Sequence, residues 1–152
     1  MSYVQRVLQP DEQVRYTSNI HWVIYLPGLL LLALGLAASV RWLAWQTMRD
    51  LWMIIALFLL LIAALVLFSA WFRRWTTEIA ITSRRIIYKR GFIRRHTIEM
   101  NLDKVESVDV VQSIAGRIFG YGDVIVKGVG VGIEPLTSID SPLEFRNHVT
   151  AH

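Results

Sequence analysis

The sequence predicts an α+β membrane protein: a two-helix transmembrane hairpin followed by a small antiparallel β domain closed by a C-terminal helix. Three observations predict it. Between Val23 and Phe72 the only charges are Arg41, Arg49 and Asp50. The chain turns to Thr- and Ile-rich alternation from Trp75 onward, and it ends on a helix-start signature at Ser141-Pro142-Leu143-Glu144. At 54% hydrophobic and 18% charged, the composition excludes a disordered chain and an ordinary soluble globule, which carries about 25% charged residues. Cysteine is absent, which excludes disulfide frameworks, cysteine–zinc sites, iron–sulfur clusters and thiol catalysis.

Residues Met1–His21 are too short to fold alone and form an N-terminal arm. Pro10-Asp11 reads as a turn, followed by a short extended piece that lies against the C-terminal region. The first span covers about residues 23–42 and the second about 51–72. At 1.5 Å per residue their uncharged runs reach roughly 27 and 33 Å, matching a hydrocarbon core of about 30 Å. Pro27 is expected to bend the first. Trp22, Tyr25, Trp71 and Trp75 mark one interface, and Trp42, Trp45 and Trp52 the other. Arg73, Arg74, Arg84, Arg85, Lys89, Arg90, Arg94 and Arg95 follow the second span, whereas the connector holds only Arg41 and Arg49. The positive-inside rule then places both termini in the cytoplasm, making residues 1–21 a cytoplasmic arm and 73–152 a cytoplasmic domain.

Six strands are expected in that domain: Thr76–Thr82, Arg85–Arg90, Phe92–Met100, Val105–Gln112, Asp123–Lys127 and Leu136–Ile139. Ser113 caps a short helix, Ile114–Phe119, which ends at Gly120 and Gly122. Ser141 as N-cap, Pro142 at N1 and Glu144 at N3 open the helix Pro142–Thr150.

The runs Thr82-Ser-Arg-Arg-Ile-Ile-Tyr88, Leu102-Asp-Lys-Val-Glu106 and Val110-Val-Gln-Ser-Ile-Ala-Gly-Arg-Ile-Phe-Gly-Tyr-Gly122, with Gly91 and the Ser141–Arg146 ending, resemble the bacterial pleckstrin-homology-like (PH-like) family of the second type. The resemblance covers roughly Trp75–His148. It implies a strongly bent, partly open β-barrel plugged at one end by the C-terminal helix, with membrane spans ahead of it, in a bacterial cytoplasmic (inner) membrane. It brings no reaction, because the family shares no catalytic residues.

The candidate sites are weighed on their chemistry. The basic series Arg73, Arg74, Arg84, Arg85, Lys89, Arg90, Arg94 and Arg95 suits anionic head groups or a protein partner, and equally a topology signal on a solvated sheet edge. In the motif loop, Gln112, Ser113, Gly116, Arg117, Gly120, Tyr121 and Gly122 are read as mainly structural. Gly120 and Gly122 supply positive φ and Arg117 ties the loop down, with partner contact the other reading of Arg117. Gly128-Val-Gly-Val-Gly132 lacks the helix start that a phosphate loop needs. His148 and His152 lack a third metal ligand, and Asp103, Glu106 and Asp109 do not share one strand face. Ser113 has no histidine in reach by sequence and reads as a cap, not a nucleophile. The basic charge is not interleaved with aromatic platforms for nucleic acid. No catalytic residue, metal or cofactor is expected. The expected role is a non-enzymatic membrane-anchored module for interaction or scaffolding, or an anionic-lipid binder. Its expected partners are membrane lipids and either further copies of itself or another membrane protein.

Overall fold

In a computed structural model, residues 3–44, 49–91, 96–130 and 135–151 are described, with the side chains of 42–44 excepted. The chain divides into two compact units. One is Trp22–Phe72; the other joins Met1–His21 to Arg73–His152.

In the first unit a 3-10 turn at Trp22–Tyr25 leads into α2 (Leu26–Ala44), and α3 begins at Arg49 and runs to Thr76. The segments Trp22–Arg41 and Arg49–Thr76 have mean hydropathy 2.2 and 3.1 and are long and apolar enough to cross a membrane. Pro27 was expected to bend the first helix, but α2 starts at Leu26. Proline in a first helical turn removes an N–H that has no partner there, so it starts the helix. The two helices meet through small residues. A Cβ on Gly28 would lie 2.6 Å from Leu67 Cδ2, and one on Gly35 would lie 2.9 Å from Leu60 Cδ2. Ala38, Ala56, Ala63 and Ala70 are buried. Close approach through small residues is the usual basis of helix pairing in lipid. Gly35→Leu should therefore lower the thermal unfolding midpoint of the full chain in detergent, whereas Ala37→Leu, on an exposed position, should not. Equal midpoints for the two variants would show that the glycine contacts do not hold the hairpin.

The second unit contains α1 (Tyr3–Val7), β1 (Val14–Ser18), β2 (Glu78–Thr82), β3 (Arg85–Arg90), β4 (His96–Asn101), β5 (Val105–Val111), α4 (Ile114–Phe119), β6 (Tyr121–Gly128), β7 (Leu136–Asp140) and α5 (Pro142–Thr150). Two antiparallel sheets have the orders β1-β2-β3-β4 and β5-β6-β7. The sequence leads to six strands; the seventh, β1, comes from the N-terminal arm and pairs with β2 from Val14↔Thr82 to Ser18↔Ile79. The extended piece expected after Pro10-Asp11 is this strand; the local pattern did not show that its partner is the edge of β2. Residues 92–95 of the expected third strand lie outside the described residues.

Beyond β1 the chain crosses to the second sheet. Ile20 bridges Ile139, the His21 amide donates to the Ser138 carbonyl (2.7 Å), and Asp140 donates to Asn19 (3.0 Å). No strand pairing joins β4 to β5 among the described residues, so the barrel is open on that side. Ile79, Ile81, Ile86, Val124, Val126, Leu136 and Ile139 form the core, and Phe145 and Val149 of α5 complete it. On the other face of β2 and β3, Ala80 and Ile87 pack under Val4 of α1. That cover explains why Ile79–Thr82 is buried residue after residue, where a one-sided strand would alternate.

Candidate functional site

The arm is fixed by an ionic clamp. Glu12, whose side chain is fully buried, accepts from Arg85 Nη2 (2.8 Å) and Nε (3.0 Å), from the Thr82 hydroxyl (2.6 Å) and from the Gln9 amide (3.0 Å). Arg85 also reaches Glu99 (2.7 Å) and the Val7 carbonyl (2.9 Å). Burial by itself raises the Glu12 carboxyl; hydrogen bonds from Arg85, Gln9 and Thr82, together with the Arg85 charge, outweigh it and hold it at about 2. A second clamp joins Lys89 to Glu78 (3.2 Å), whose other oxygen accepts from the Tyr3 amide (2.8 Å). Lys89 Nζ also lies 5.1 Å from the Tyr3 ring centroid. Glu12 escaped the sequence analysis because its partner is 73 residues away and no local motif marks it.

The loop between β5 and β6 is a tightly fitted turn. Ser113 Oγ accepts from the Gly116 amide (3.0 Å), and Gly120 ends α4 at φ 78°. Gln112 Nε2 donates to the Tyr121 carbonyl (3.0 Å). A Cβ on Gly116 would lie 2.5 Å from that same carbonyl oxygen. Positive φ was expected at both Gly120 and Gly122, and only Gly120 has it. Gly122 is needed for space: a Cβ there would lie 2.7 Å from Gln112 Cγ and 2.9 Å from the Val111 carbonyl oxygen. Arg117 does not tie the loop down. It is exposed, and among the described residues its side chain has no hydrogen bond or ion pair.

A family model for the bacterial PH domain matches residues 13–152. The chain belongs to the bacterial PH domain family. Neither a comparison with curated proteins nor one with solved structures returned a match. The matched region starts just ahead of β1, so this bacterial PH domain includes the strand that precedes the apolar helices as well as everything after them.

The bacterial PH domain divides the basic series. Arg85 is paired with Glu12 and Glu99, and Lys89 with Glu78, in the two clamps. Arg84 is exposed in the β2–β3 turn, at the end of the first sheet remote from Glu78, where β2 follows α3. Arg73, Arg74 and Arg90 are exposed and lie at or near the opposite end, with Arg73 Nη2 donating to Thr137 Oγ1 (2.5 Å). Arg94 and Arg95 lie outside the described residues. An open cleft of about 670 Å³ at the remote end is lined by Gln9, Glu12, Arg15, Arg84, Arg85 and Asp103.

The other sequence candidates have structural places in the bacterial PH domain. Ser141, expected as a capping-box residue, sits at φ 49° with no side-chain cap, and its amide donates to the Gly120 carbonyl (2.9 Å). The left-handed turn needed to meet Gly120 carries the hydroxyl away from the helix start. His148 stacks on Tyr16 at 4.5 Å, and His152 lies outside the described residues. Asp109 pairs with Lys127 (2.7 Å) on the surface, a contact worth little. Gly128 is required by close approach, since a Cβ would lie 2.8 Å from the Lys104 carbonyl oxygen. Strand β7, not a helix, follows that glycine-rich loop, of which residues 131–134 lie outside the described residues.

Proposed function

We propose that the protein is a non-enzymatic, membrane-anchored PH module that presents its domain to partners at the bacterial inner membrane, with both termini in the cytoplasm. One observation carries this reading: the two apolar helices are inserted between β1 and β2 of the domain. A domain built from both sides of such a hairpin is tethered to a bilayer twice, which restricts its rotation and suits a fixed platform better than a mobile enzyme. The partners are further copies of the chain or another membrane protein. Gly28, Gly35, Ala38, Ala56 and Ala63 are occupied within the hairpin, which leaves Ala33, Ala37, Ala64 and Ser69 on the exposed helix surfaces.

The exposed Arg73, Arg74 and Arg90 favour a second reading, in which the domain binds anionic head groups; each such side chain near an anionic leaflet contributes about 1 kcal/mol. The full chain must be used to separate the two, because a fragment starting at residue 73 lacks β1 and leaves Arg85 without Glu12. Native mass spectrometry of the full chain in mild detergent is expected to show masses above the monomer, or a co-purifying membrane protein. A clean monomer, combined with salt-sensitive retention of anionic lipid, would overturn the platform reading in favour of the lipid one.

The topology has its own test. The chain has no cysteine, so single cysteines report cleanly. In intact cells a membrane-impermeant maleimide should modify Thr47→Cys, in the connector, and leave Thr150→Cys unmodified. Labelling at Thr150 before lysis reverses the orientation.

A further inference from the structure

A bulge in β1 sets one arginine out of the ladder. Val14 faces Thr82 and Tyr16 faces Ile81, so Arg15 between them has no residue opposite it on β2. A bulge leaves one residue unpaired and re-aims its side chain. Arg15 lines the open cleft of about 670 Å³ at the end of the first sheet, and Arg84, in the β2–β3 turn, lines the same cleft.

Neither guanidinium is taken up by the protein. Both residues are exposed, and among the described residues neither side chain has a hydrogen bond or ion pair. Ser83, also in the lining, accepts from the Gln13 amide (3.3 Å) through its hydroxyl, which donates to no group among the described residues. Arg85 differs, because Glu12, Glu99 and the Val7 carbonyl already hold it. The backbone around these groups is fixed: the Ser83 amide donates to the Gln13 carbonyl (2.9 Å) and the Leu102 amide to the Arg84 carbonyl (2.9 Å). The second bond brings Asp103 into the lining. Three arginines stand there against the two carboxylates of Glu12 and Asp103, so the lining is net positive.

We propose that this cleft binds a phosphate monoester. Arg15 and Arg84 take its phosphoryl oxygens, the Ser83 hydroxyl donates to a further one, and Asp103 accepts from a hydroxyl on the ligand's organic part. The lining selects this class. A guanidinium fork matches two oxygens of a carboxylate or a phosphate. One fork satisfies a carboxylate, whereas a phosphoryl group has three free oxygens and engages both forks and the hydroxyl. Among the described residues of the lining only Leu102 and Ala151 are apolar. The cleft therefore lacks the aromatic and aliphatic anchors on which a protein partner depends, and its volume lies in the range of small-molecule sites. Every lining residue belongs to the domain, so the proposal goes beyond the platform reading and stands without it. By joining β1 to the β2–β3 turn, the ligand would reinforce the pairing of the arm.

The test is the thermal unfolding midpoint of the full chain in a nonionic detergent, with chloride used to keep the ionic strength constant. Millimolar glycerol 3-phosphate is expected to raise the midpoint by a few degrees, because a ligand that binds only the folded state stabilises it. Glycerol should leave it unchanged. Phosphatidic acid mixed into the micelles presents the same monoester on a lipid. A rise with glycerol 3-phosphate assigns a soluble ligand, and a rise with phosphatidic acid alone assigns a lipid head group. Arg15→Gln and Arg84→Gln should each lose most of the rise while keeping the unliganded midpoint, since neither side chain holds the fold. Arg90→Gln, exposed at the other end of β3, should keep the full rise. No rise with either probe, a rise that persists in Arg15→Gln/Arg84→Gln, or one lost equally in Arg90→Gln would overturn the proposal.

Discussion

Glu12→Ala is expected to destabilise the PH domain by about 3 kcal/mol, the usual cost of removing one member of a buried ion pair. The Glu12 side chain is fully buried and Arg85 is 13% exposed, so the variant strands a guanidinium whose remaining carboxylate is the partly exposed Glu99. The loss should appear as a lower thermal unfolding midpoint of the full chain in detergent. It should be accompanied by faster proteolysis within residues 1–13, because Glu12 is one of the contacts that hold the arm, beside the Tyr3–Glu78 bond and the packing of Val4. The double variant Glu12→Ala/Arg85→Ala should cost less than the sum of the single ones. An additive pair would show that the clamp contributes nothing beyond its separate contacts.

The same clamp sets an acid limit. Glu12 is held at about 2 in the folded domain, below the ordinary glutamate value of about 4.3 in the unfolded chain. The unfolded state therefore binds the extra proton. The stability due to this charge is complete above about pH 5 and is lost as the pH falls towards 2. In Glu12→Ala that part of the acid-induced loss should vanish. An unchanged acid profile would assign the loss to other carboxylates.

Gly122→Val is expected to cost about 3 kcal/mol by overpacking a site with no room. Its new Cβ would press on Gln112, on the Val111 carbonyl and on Pro142 Cγ at 3.1 Å. The Val111 carbonyl cannot retreat without disturbing the pairing of Val111 with Asp123. Gly120→Ala has open space around its Cβ but a φ of 78°, and should cost about 1–2 kcal/mol through backbone strain alone. Thermal unfolding of the two variants should rank Gly122→Val as the more damaging. The reverse order would mean that left-handed backbone, not close approach, is the constraint on this loop.

The apolar helices, strands β2 to β7 and helices α4 and α5 are written locally. They follow from uncharged runs, two-residue alternation, a serine before Ile114 and a proline after Ser141, each of which acts within a few residues. The family match over residues 13–152 agrees with the resemblance drawn from the Thr82–Tyr88 and Val110–Gly122 runs. What the local pattern leaves open is every relation across the hairpin. Strand β1 was legible only as a short extended piece of the arm; its hydrogen-bonding partner, β2, lies beyond both apolar helices, so nothing local names the pairing. The separation of Arg85 and Lys89 from Arg73, Arg74, Arg84 and Arg90 was equally hidden. Eight basic residues look alike in sequence, and only folding shows which of them meet a carboxylate. Gly122 makes the same point: a glycine required by free space at its Cβ and one required by positive φ are the same letter. Sequence fixes which segments are apolar, extended or turned, because those are properties of neighbours along the chain. The tertiary structure decides which charges are neutralised and which apolar side chains stay exposed, because desolvation depends on neighbours in space.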